Sequence, residues 1–423
     1  MDVGDERLLI ISNNALSNTR NNGKTIYSYI DCLDKQNVAQ LYFSQEYPSI
    51  SGYKYFRITD RDIIRGMLMT KRRGGPINKL APQEKKATVS SQKHKGELMR
   101  LVREILWVGK WKSRALLSWL DDYAPTAIFF VGGDCLFAYD ICKFIAKRYN
   151  AKTSLYITDD YIMPRKNDSL IGRLRRFQIK EKIRGCLEYA QSFFTVSEMM
   201  RRKYKEIFNK DSSVIVNLSE PMKLSVNREH DGVITMLYAG SLYYGRDDVL
   251  GKLSQAIYEY NSKSAKKAIL KVYTNSTPDK ATQSKFVVKG ASEHCGSLDR
   301  DELKCELNRS DILVFVESFD ESFVEKTKYS LSTKVPEYLS VGKPILAIGP
   351  ENIGSMDYLS DVAVCVNNIS ELKDKLEQLI DSEMLQQKVA DKCEKKYSLN
   401  HSKERMQQAL LRKVMNSTND FDE

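Results

Sequence analysis

Short apolar runs alternate with helical segments along almost the whole chain, and this alternation constrains the fold more than any other feature. In the first half, helices are predicted at Thr25–Lys35 and Leu136–Arg148. The predicted strands there are Leu8–Ser12, Val38–Phe43, Ala127–Val131, Thr153–Ile157, Ser192–Val196 and Ser213–Asn217. Strand, loop and helix in this order predict a parallel sheet with helices on both faces.

A second alternating series follows the polar stretch Ser219–Gly232. Its predicted strands are Ile234–Ala239, Lys271–Tyr273, Phe286–Lys289, Asp311–Val316, Pro344–Ile348 and Val362–Cys365, and its predicted helices are Val335–Leu339, Ile369–Leu379 and Met384–Lys396. A chain of 423 residues is too long for one ordinary core. We therefore predict an α/β protein of two Rossmann-like, doubly wound domains facing a cleft, with ligands at the carboxyl ends of the strands. The expected bounds are 1–220 and 230–395, with 396–423 as a helix or tail packing back on the first domain.

The net charge of +11 is concentrated in Arg57–Arg114 and in the stretch that begins at Pro164. Region 63–120 is basic, and its first part, Ile63–Lys95, breaks the strand–helix alternation, so it is expected to be an excursion from the first domain. In the later part of region 63–120, apolar residues recur at helical spacing, namely Leu98, Leu101, Ile105, Leu106 and Trp107. Two interpretations stay open, a helix that binds a membrane surface and ordinary core packing of the same residues.

Other sequence features bear on the compartment and on metals. The start MDVGDERLLIISNN has three acids before its apolar run and is no secretory signal, and Gly132 and Asp134 interrupt the apolar stretch from Ala127 to Ala146. The eight cysteines include no CxxC pair, and the four histidines are far apart. We expect reduced thiols, no metal site, and a cytoplasmic protein that docks at most peripherally on the inner face of the membrane.

The segment SLSTKVPEYLSVGKPILAIGP, Ser330–Pro350, is the most informative one. Ser332 or Thr333 can cap a helix, and the N–H groups of a helix start, with Lys334 beside them, suit a diphosphate. Glu337, one turn further on, can accept both hydroxyls of a ribose. The alternative is plain capping without a ligand.

The order Glu337-x-x-x-x-Gly342-x-Pro344 resembles the E-A-x-A-x-G-x-P segment of family 4 glycosyltransferases, which have the two-domain GT-B fold, and is closer to a subset acting in bacterial surface-polysaccharide assembly. The resemblance implies that Glu337 is the second glutamate of the family's EX7E pair and holds the donor ribose. Tyr329 stands where the family has the first glutamate. The candidates for contacting the transferred sugar are Glu317, Glu321 and Glu325, all in the predicted loop after the strand.

The second domain opens with MLYAGSLYYGRDDVLGKL, where a tight turn at Gly240 would let a substrate approach the backbone. In the resembling family, cations of this loop bind the donor diphosphate, which implies that role for Arg246. The alternative is a surface pair of Arg246 with Asp247 or Asp248. The resemblance also implies that Val287–Leu298 borders the base.

In the first domain, GKT follows a polar loop, but Asn18 stands where a P-loop needs glycine, so a Walker motif is excluded. The family resemblance implies that Asn22, Gly23 and Lys24 contact the acceptor or the donor phosphate. Asp159 and Asp160 end a predicted strand near the place of the family's His-Asp. A carboxylate there could orient the acceptor hydroxyl or act as a base, or could cap the next helix.

These features together predict a glycosyltransferase of the hexosyltransferase type. The resemblance implies retention of configuration, no bound metal and no cofactor. The expected partners are a UDP- or GDP-sugar donor and a lipid-linked saccharide acceptor. The rivals are a nucleotide-sugar epimerase of the same fold, a donor-binding subunit inactive without a partner chain, and a basic nucleic-acid-binding protein. No nucleic-acid-reading motif accompanies the basic stretches, so no nucleic-acid partner is expected.

Overall fold

The computed structural model describes residues 6–18, 21–68, 73–81, 96–224 and 232–415. Contacts within the chain divide it into two units. The first unit contains the described residues up to Val196, Arg201–Ile215 and those from Lys403 onward, and the second contains Ser197–Met200 and Val216–Ser402. The basic segment QEKKAT, residues 83–88, and residues 225–231 of the polar stretch Ser219–Gly232 fall outside the described residues.

The first unit is built on an eight-stranded sheet. Its strands are β1 (Leu8–Ser12), β2 (Val38–Tyr42), β3 (Lys54–Arg57), β4 (Gly75–Pro76), β5 (Ala127–Gly132), β6 (Lys152–Ile157), β7 (Ser192–Thr195) and β8 (Ser213–Val214). Their order across the sheet is β4-β3-β2-β1-β5-β6-β7-β8, and all neighbours are parallel except β3 and β4. The central strands are buried on both faces, as parallel sheets covered by helices require.

The described residues of the chain's first half form seven α-helices that cover or border this sheet. They are α1 (Asn21–Ile30), α2 (Asp60–Leu68), α3 (Glu97–Trp107), α4 (Arg114–Tyr123), α5 (Leu136–Tyr149), α6 (Leu170–Leu187) and α7 (Glu198–Phe208). In the region expected to be an excursion, Ile63–Leu68 belongs to α2, while 69–72 and 82–95 lie outside the described residues.

The second unit has a six-stranded, wholly parallel sheet. Its strands are β9 (Val233–Ala239), β10 (Lys267–Tyr273), β11 (Ser292–Gly296), β12 (Ile312–Val316), β13 (Ile345–Ile348) and β14 (Val364–Val366), in the order β11-β10-β9-β12-β13-β14. Its helices are α8 (Arg246–Lys263), α9 (Lys280–Phe286), α10 (Arg300–Arg309), α11 (Glu321–Thr327), α12 (Lys334–Val341), α13 (Gly354–Leu359), α14 (Leu372–Asp381) and α15 (Glu383–Asn400). The core consists of the inward faces of these strands and of α8 and α14.

The last described helix, α16 (Lys403–Met415), belongs to the first unit. Its Gln407 amide donates hydrogen bonds to the Ser28 carbonyl and to an Asp31 carboxylate oxygen, both at 2.6 Å. The helix therefore lies against α1, and residues 416–423 of the predicted tail lie outside the described residues.

The predicted architecture of doubly wound α/β units is confirmed, and one predicted strand is wrong. Phe286–Lys289 is not a strand, because Phe286 is the last residue of α9 and the third strand of the series begins only at Ser292. Asp279 fixes the start of that helix by accepting a hydrogen bond from the Thr282 N–H at 2.7 Å. A short apolar run has the same appearance at a helix end as in a buried strand.

Candidate functional site

In the second unit, several of the candidate residues meet where the strand order reverses. The chain runs outward from β9 to β10 and β11 on one side, and from β12 to β13 and β14 on the other. The adjacent strands β9 and β12 therefore form the switch point, and open α/β sheets bind ligands beyond the carboxyl ends of such strands. Gly240 directly follows β9, and Glu317 directly follows β12.

Arg246 and Glu317 form a buried ion pair at this switch point. Nη2 of Arg246 lies 3.1 and 2.9 Å from the two carboxylate oxygens of Glu317, and the side chains are 14% and 4% exposed. Burial raises the pKa of Glu317, and the guanidinium opposes that rise. Asp247 and Asp248, the alternative partners of Arg246, instead accept from Lys285 at 2.7 and 3.0 Å. The guanidinium is thus directed toward the strand ends and not along the surface.

Lys334 places a second cation beside this pair. Its Nζ donates to the Tyr238 hydroxyl at 3.2 Å and lies 4.5 Å from the centre of the same ring. A Cβ at Gly240 would lie 1.6 Å from this nitrogen, so only glycine lets the amine approach the end of β9. Burial, followed by the charge of Arg246, lowers the pKa of Lys334 to about 7. The amine therefore exchanges its proton near neutral pH.

Two helices begin at the same place without a side-chain cap. The N-cap of α8 is Gly245, at φ +68°, and Thr333 at the N-cap of α12 makes no side-chain capping hydrogen bond. The Ser332 hydroxyl accepts from the Lys334 N–H only at 3.4 Å. A Cβ at Gly245 would lie 2.7 Å from the Ser318 hydroxyl, so this glycine also brings α8 close to the end of β12. Uncapped helix starts carry partial positive charge and bind anions.

Glu337 lies one turn into α12 and is half-buried. The next residue, Tyr338, is buried, and its hydroxyl accepts a hydrogen bond from the Ala239 N–H at 3.0 Å. This bond fixes α12 to the end of β9. Sequence reasoning did not single out Tyr338 or Tyr238. The sequence signal that could have identified them is one tyrosine two residues before Gly240 and another directly after Glu337.

Tyr329, which stands where the EX7E motif has its first glutamate, has a structural role in this chain. Tyr329 is buried, and its carbonyl accepts a hydrogen bond from the Ser197 hydroxyl at 2.6 Å. Glu321 and Glu325, predicted in a loop, lie in the short helix α11. Of the three glutamates considered there, Glu317 is the one that the structure brings to Gly240, Arg246 and Lys334.

The first unit has a depression at its own switch point, between β1 and β5. It encloses about 500 Å³, open solvent included. It is lined by Ser12, Asn13, Asn14, Asn22, Phe43, Val131, Gly132, Gly133, Asp134, Cys135, Ala138 and Tyr161. Amide and hydroxyl groups with one carboxylate, and no lysine or arginine among the lining residues, suit an uncharged polyhydroxyl ligand better than a phosphate. We call this place the first-unit depression.

Asn22, Gly23 and Lys24 lie in the first turn of α1 and not in the predicted loop, because the helix already begins at Asn21. Asn22 lines the first-unit depression, and its Nδ2 donates to the Thr158 hydroxyl at 3.3 Å. A Cβ at Gly23 would lie 2.0 Å from the Ala15 carbonyl oxygen. Close packing of the preceding loop on α1 therefore already requires this glycine.

The adjacent aspartates after β6 have different surroundings. Asp159 is exposed, and one of its carboxylate oxygens accepts from the Tyr161 hydroxyl at 3.3 Å at the rim of the first-unit depression. Asp160 is buried, and its Oδ1 accepts from the N–H groups of Ile162 and Met163, both at 3.1 Å. Asp160 therefore holds the turn after the strand.

One helix start beside the first-unit depression, that of α5, is already occupied. The Leu136 and Phe137 N–H groups at the start of α5 donate to the two carboxylate oxygens of Glu104 at 3.1 and 3.2 Å. Arg175 also contacts this carboxylate, at 3.3 Å. The protein's own anion thus occupies the place where a phosphate would bind in many Rossmann-like domains.

The described residues contain no group of three or more His, Cys, Asp or Glu side chains placed to hold a metal ion. Within the same part of the chain, every helix is too short or too polar to cross a lipid bilayer.

No protein-family model matches the sequence, and a search of curated proteins gives no match. Solved structures do match. Sucrose-phosphate synthase from Thermosynechococcus elongatus aligns with a TM-score of 0.62 and 10% identity, over 98% of this chain and 100% of that one. The E. coli trehalose-6-phosphate structure bound with UDP-2-fluoro glucose aligns at 0.61 and 11%, with the same coverage. S. aureus TarM in complex with UDP aligns at 0.50 and 15%, over 72% of this chain and 59% of that one. At these identities the likeness shows the fold, which is the predicted GT-B fold of two Rossmann-like units.

Proposed function

We propose that this chain is a glycosyltransferase that moves a sugar from a UDP- or GDP-sugar to a saccharide acceptor. The observation that carries the proposal is the convergence of Arg246, Lys334 and two uncapped helix starts at the second unit's switch point. Two cations and two helix dipoles suit the two phosphates of a nucleotide-sugar. A structural neighbour was solved with UDP-2-fluoro glucose, which agrees with a ligand of this class.

The donor is assigned to the second unit and the acceptor to the first by the charge of the two switch points. In the second unit, cations and helix starts face the strand ends. In the first, Glu104 already occupies the α5 helix start and no lysine or arginine lines the first-unit depression, so neither offers a positive partner to a diphosphate. Asn13, Asn14 and Asn22 offer the amide groups that bind sugar hydroxyls.

In the proposed reaction, the bond between the sugar's anomeric carbon and the diphosphate oxygen breaks, and a bond to the acceptor oxygen forms. The nucleoside diphosphate leaves with the bonding electron pair, and Arg246 and Lys334 stabilise its developing charge. Glu317 holds the guanidinium in place, and Glu337 accepts from the ribose hydroxyls. The acceptor hydroxyl transfers its proton to Asp159, an exposed carboxylate that accepts a hydrogen bond from Tyr161, a residue lining the first-unit depression. Retention of configuration and independence of metals remain predictions.

The acceptor is proposed to be a lipid-linked saccharide used in bacterial surface-polysaccharide synthesis. The transfer would then take place on the cytoplasmic face of the membrane, with the protein bound peripherally. Exposed apolar side chains on helices of the first unit support this part of the proposal, and their arrangement is taken up below.

Thermal stabilisation by a panel of UDP-, GDP- and ADP-sugars would identify the donor. The labelled donor is then incubated with the protein and a bacterial membrane extract, and label in the lipid fraction is the expected result. Lys334→Met should abolish this transfer, and Lys388→Met, which removes an exposed lysine from the same unit, should leave it unchanged.

Other outcomes would favour the rival functions. An isomerised free donor would indicate an epimerase, and donor binding without turnover would indicate a subunit that needs a partner chain. Salt-sensitive binding of random oligonucleotides, with no response to any nucleotide-sugar, would overturn the proposal in favour of nucleic-acid binding.

A further inference from the structure

Helix α3 exposes several of its apolar side chains and buries one of its charged ones. Leu98, Val102 and Ile105, spaced four and three residues apart, form one exposed stripe, with Leu98 62% and Ile105 64% exposed. On another face of the same helix, Glu104 is only 7% exposed. A helix on the surface of a globular protein in water normally has the opposite orientation.

Polar contacts fix this orientation. The Arg103 guanidinium lies 2.7 Å from an Asp60 carboxylate oxygen, and the Trp107 indole N–H donates to the same oxygen at 2.9 Å. Glu104 accepts from the two N–H groups at the start of α5. Rotating α3 to bury its apolar stripe would break all of these contacts and leave a carboxylate and a guanidinium without partners. The exposed stripe is therefore part of the folded state.

Two of the helices that pack against α3, α6 and α2, add to the same surface. On α6, Leu170, Leu174 and Phe177 have the same spacing of four and three residues, with Leu170 82% and Phe177 60% exposed. On α2, Ile64 and Met67 are exposed. We call these eight side chains, three each from α3 and α6 and two from α2, the three-helix apolar surface. A monomer in water rarely exposes so many large apolar side chains on adjacent helices.

Basic residues accompany these apolar side chains. Helix α6 contains six basic residues and one acidic residue, Glu181. Arg175 and Arg176 are paired inward with Glu104 and Asp168, and the basic residues left nearer the surface are Arg173, Lys180, Lys182 and Arg184. Apolar stripes with surrounding lysine and arginine are typical of helices that lie in the interface of an anionic bilayer. An apolar protein partner would not by itself require this charge.

From these observations we infer that the three-helix apolar surface docks on an anionic lipid bilayer. The surface is joined to the first-unit depression through Asp134, which lines the depression. Arg100 of α3 lies 3.3 Å from the Asp134 carboxylate, and Arg175 of α6 lies 3.8 Å from it. Docking would hold the depression near the headgroups, where the saccharide of a lipid-linked acceptor is found. Only this last step rests on the proposed glycosyltransfer.

The test is sedimentation of the full-length protein with vesicles, without any nucleotide. Vesicles of phosphatidylcholine alone are compared with vesicles that also contain phosphatidylglycerol. We expect binding to the anionic vesicles, decreasing as salt is added. The double variant Ile105→Glu/Phe177→Glu should bind them at least ~10-fold more weakly, because it places two charges where apolar groups would insert. Met384→Glu, at an exposed apolar residue of α15 in the second unit, is the matched control and should bind like the wild type.

Three results would overturn the inference. They are no vesicle binding by the wild type, equal binding by the double variant, and a wild-type dimer in lipid-free solution that the double variant converts to monomer. The last would make the surface an interface between two copies of the chain. Nucleotide-sugar binding by the double variant should match the wild type, so failure of the docking inference and failure of the proposed function can be told apart.

Discussion

The low pKa of Lys334 predicts that donor binding depends on pH. Burial and the neighbouring Arg246 lower the pKa of this amine to about 7, so about half of the ligand-free molecules carry a neutral lysine at that pH. The dianionic diphosphate of a nucleotide-sugar would bind the protonated amine and raise its pKa. A nucleotide-sugar has no secondary phosphate ionisation near neutral pH, so this titration belongs to the protein. Binding should therefore tighten as pH falls toward 7 and weaken above it.

The size of the effect follows from proton linkage. If the amine stays protonated in the complex, each pH unit above 7 costs about 1.4 kcal/mol of binding free energy. Between about pH 7 and 9 the dissociation constant should rise on the order of 50- to 100-fold. Binding should take up about half a proton per molecule at pH 7 and close to one proton at about pH 9.

Isothermal titration calorimetry of the nucleotide-sugar, in buffers of different ionisation enthalpy, measures both quantities. Lys334→Met should bind more weakly at pH 7 and lose the pH dependence together with the proton uptake. The variant should also unfold at a higher temperature than the wild type, because it removes an amine whose charged form is destabilised by burial. A wild-type affinity that stays flat over this range, or a Lys334→Met variant with the same slope, would refute the reasoning.

Three further predictions concern the switch point and the second unit. Arg246→Met should cost about 3 kcal/mol of stability, measured by urea unfolding, because it leaves the buried Glu317 carboxylate unpaired. Adding Glu317→Gln should restore the stability but not donor binding. If the double variant binds donor normally, Arg246 is not a phosphate contact. Gly240→Ala should displace the Lys334 amine, which would lie 1.6 Å from the added Cβ, and weaken donor binding at least ~10-fold. The control Gly185→Ala, whose Cβ meets nothing within 4 Å, should bind donor like the wild type. The buried ring of His401 has a pKa lowered to about 4, mainly by burial. The unfolded chain therefore takes up a proton that the folded state refuses, and about 3 kcal/mol of stability should be lost as pH falls from about 6.5 to 4; a His401→Gln variant with the same acid dependence would contradict this.

The sheets were the part of the fold that the sequence predicted best. Strand β1 has the predicted bounds, Leu8–Ser12, because a run that is apolar on both faces has few alternatives in a parallel sheet. Strand β3, KYFR, was not predicted, since only its two middle residues are buried and the run is too short to show a period. The start of α1 was placed several residues too late, because a polar first turn with a glycine has the composition of a loop.

The candidate site was only partly predictable. A local motif predicted the helix that begins at Lys334 and the turn at Gly240, since each depends on a few consecutive residues. The partner of Arg246 was not predicted, because Glu317 is 71 positions away in sequence and becomes a neighbour only through the strand order of the sheet. The depressed pKa of Lys334 likewise requires the burial that tertiary packing provides. Sequence spacing contains neither kind of information.

Each unit has a switch point near the centre of its sheet, but the groups placed around the two switch points differ in charge. At the switch point of the second unit, two helix starts have no side-chain cap and two cations lie beside them. At that of the first unit, the buried Glu104 caps a helix start that could otherwise bind phosphate. A buried carboxylate is costly unless its partners hold it, and Arg175 and two backbone N–H groups do so here. The acid has a structural use, since Glu104 caps the start of α5 and pairs with the buried Arg175. On the proposed function it has a second use, because the same carboxylate keeps a donor diphosphate from binding where the acceptor hydroxyl must lie.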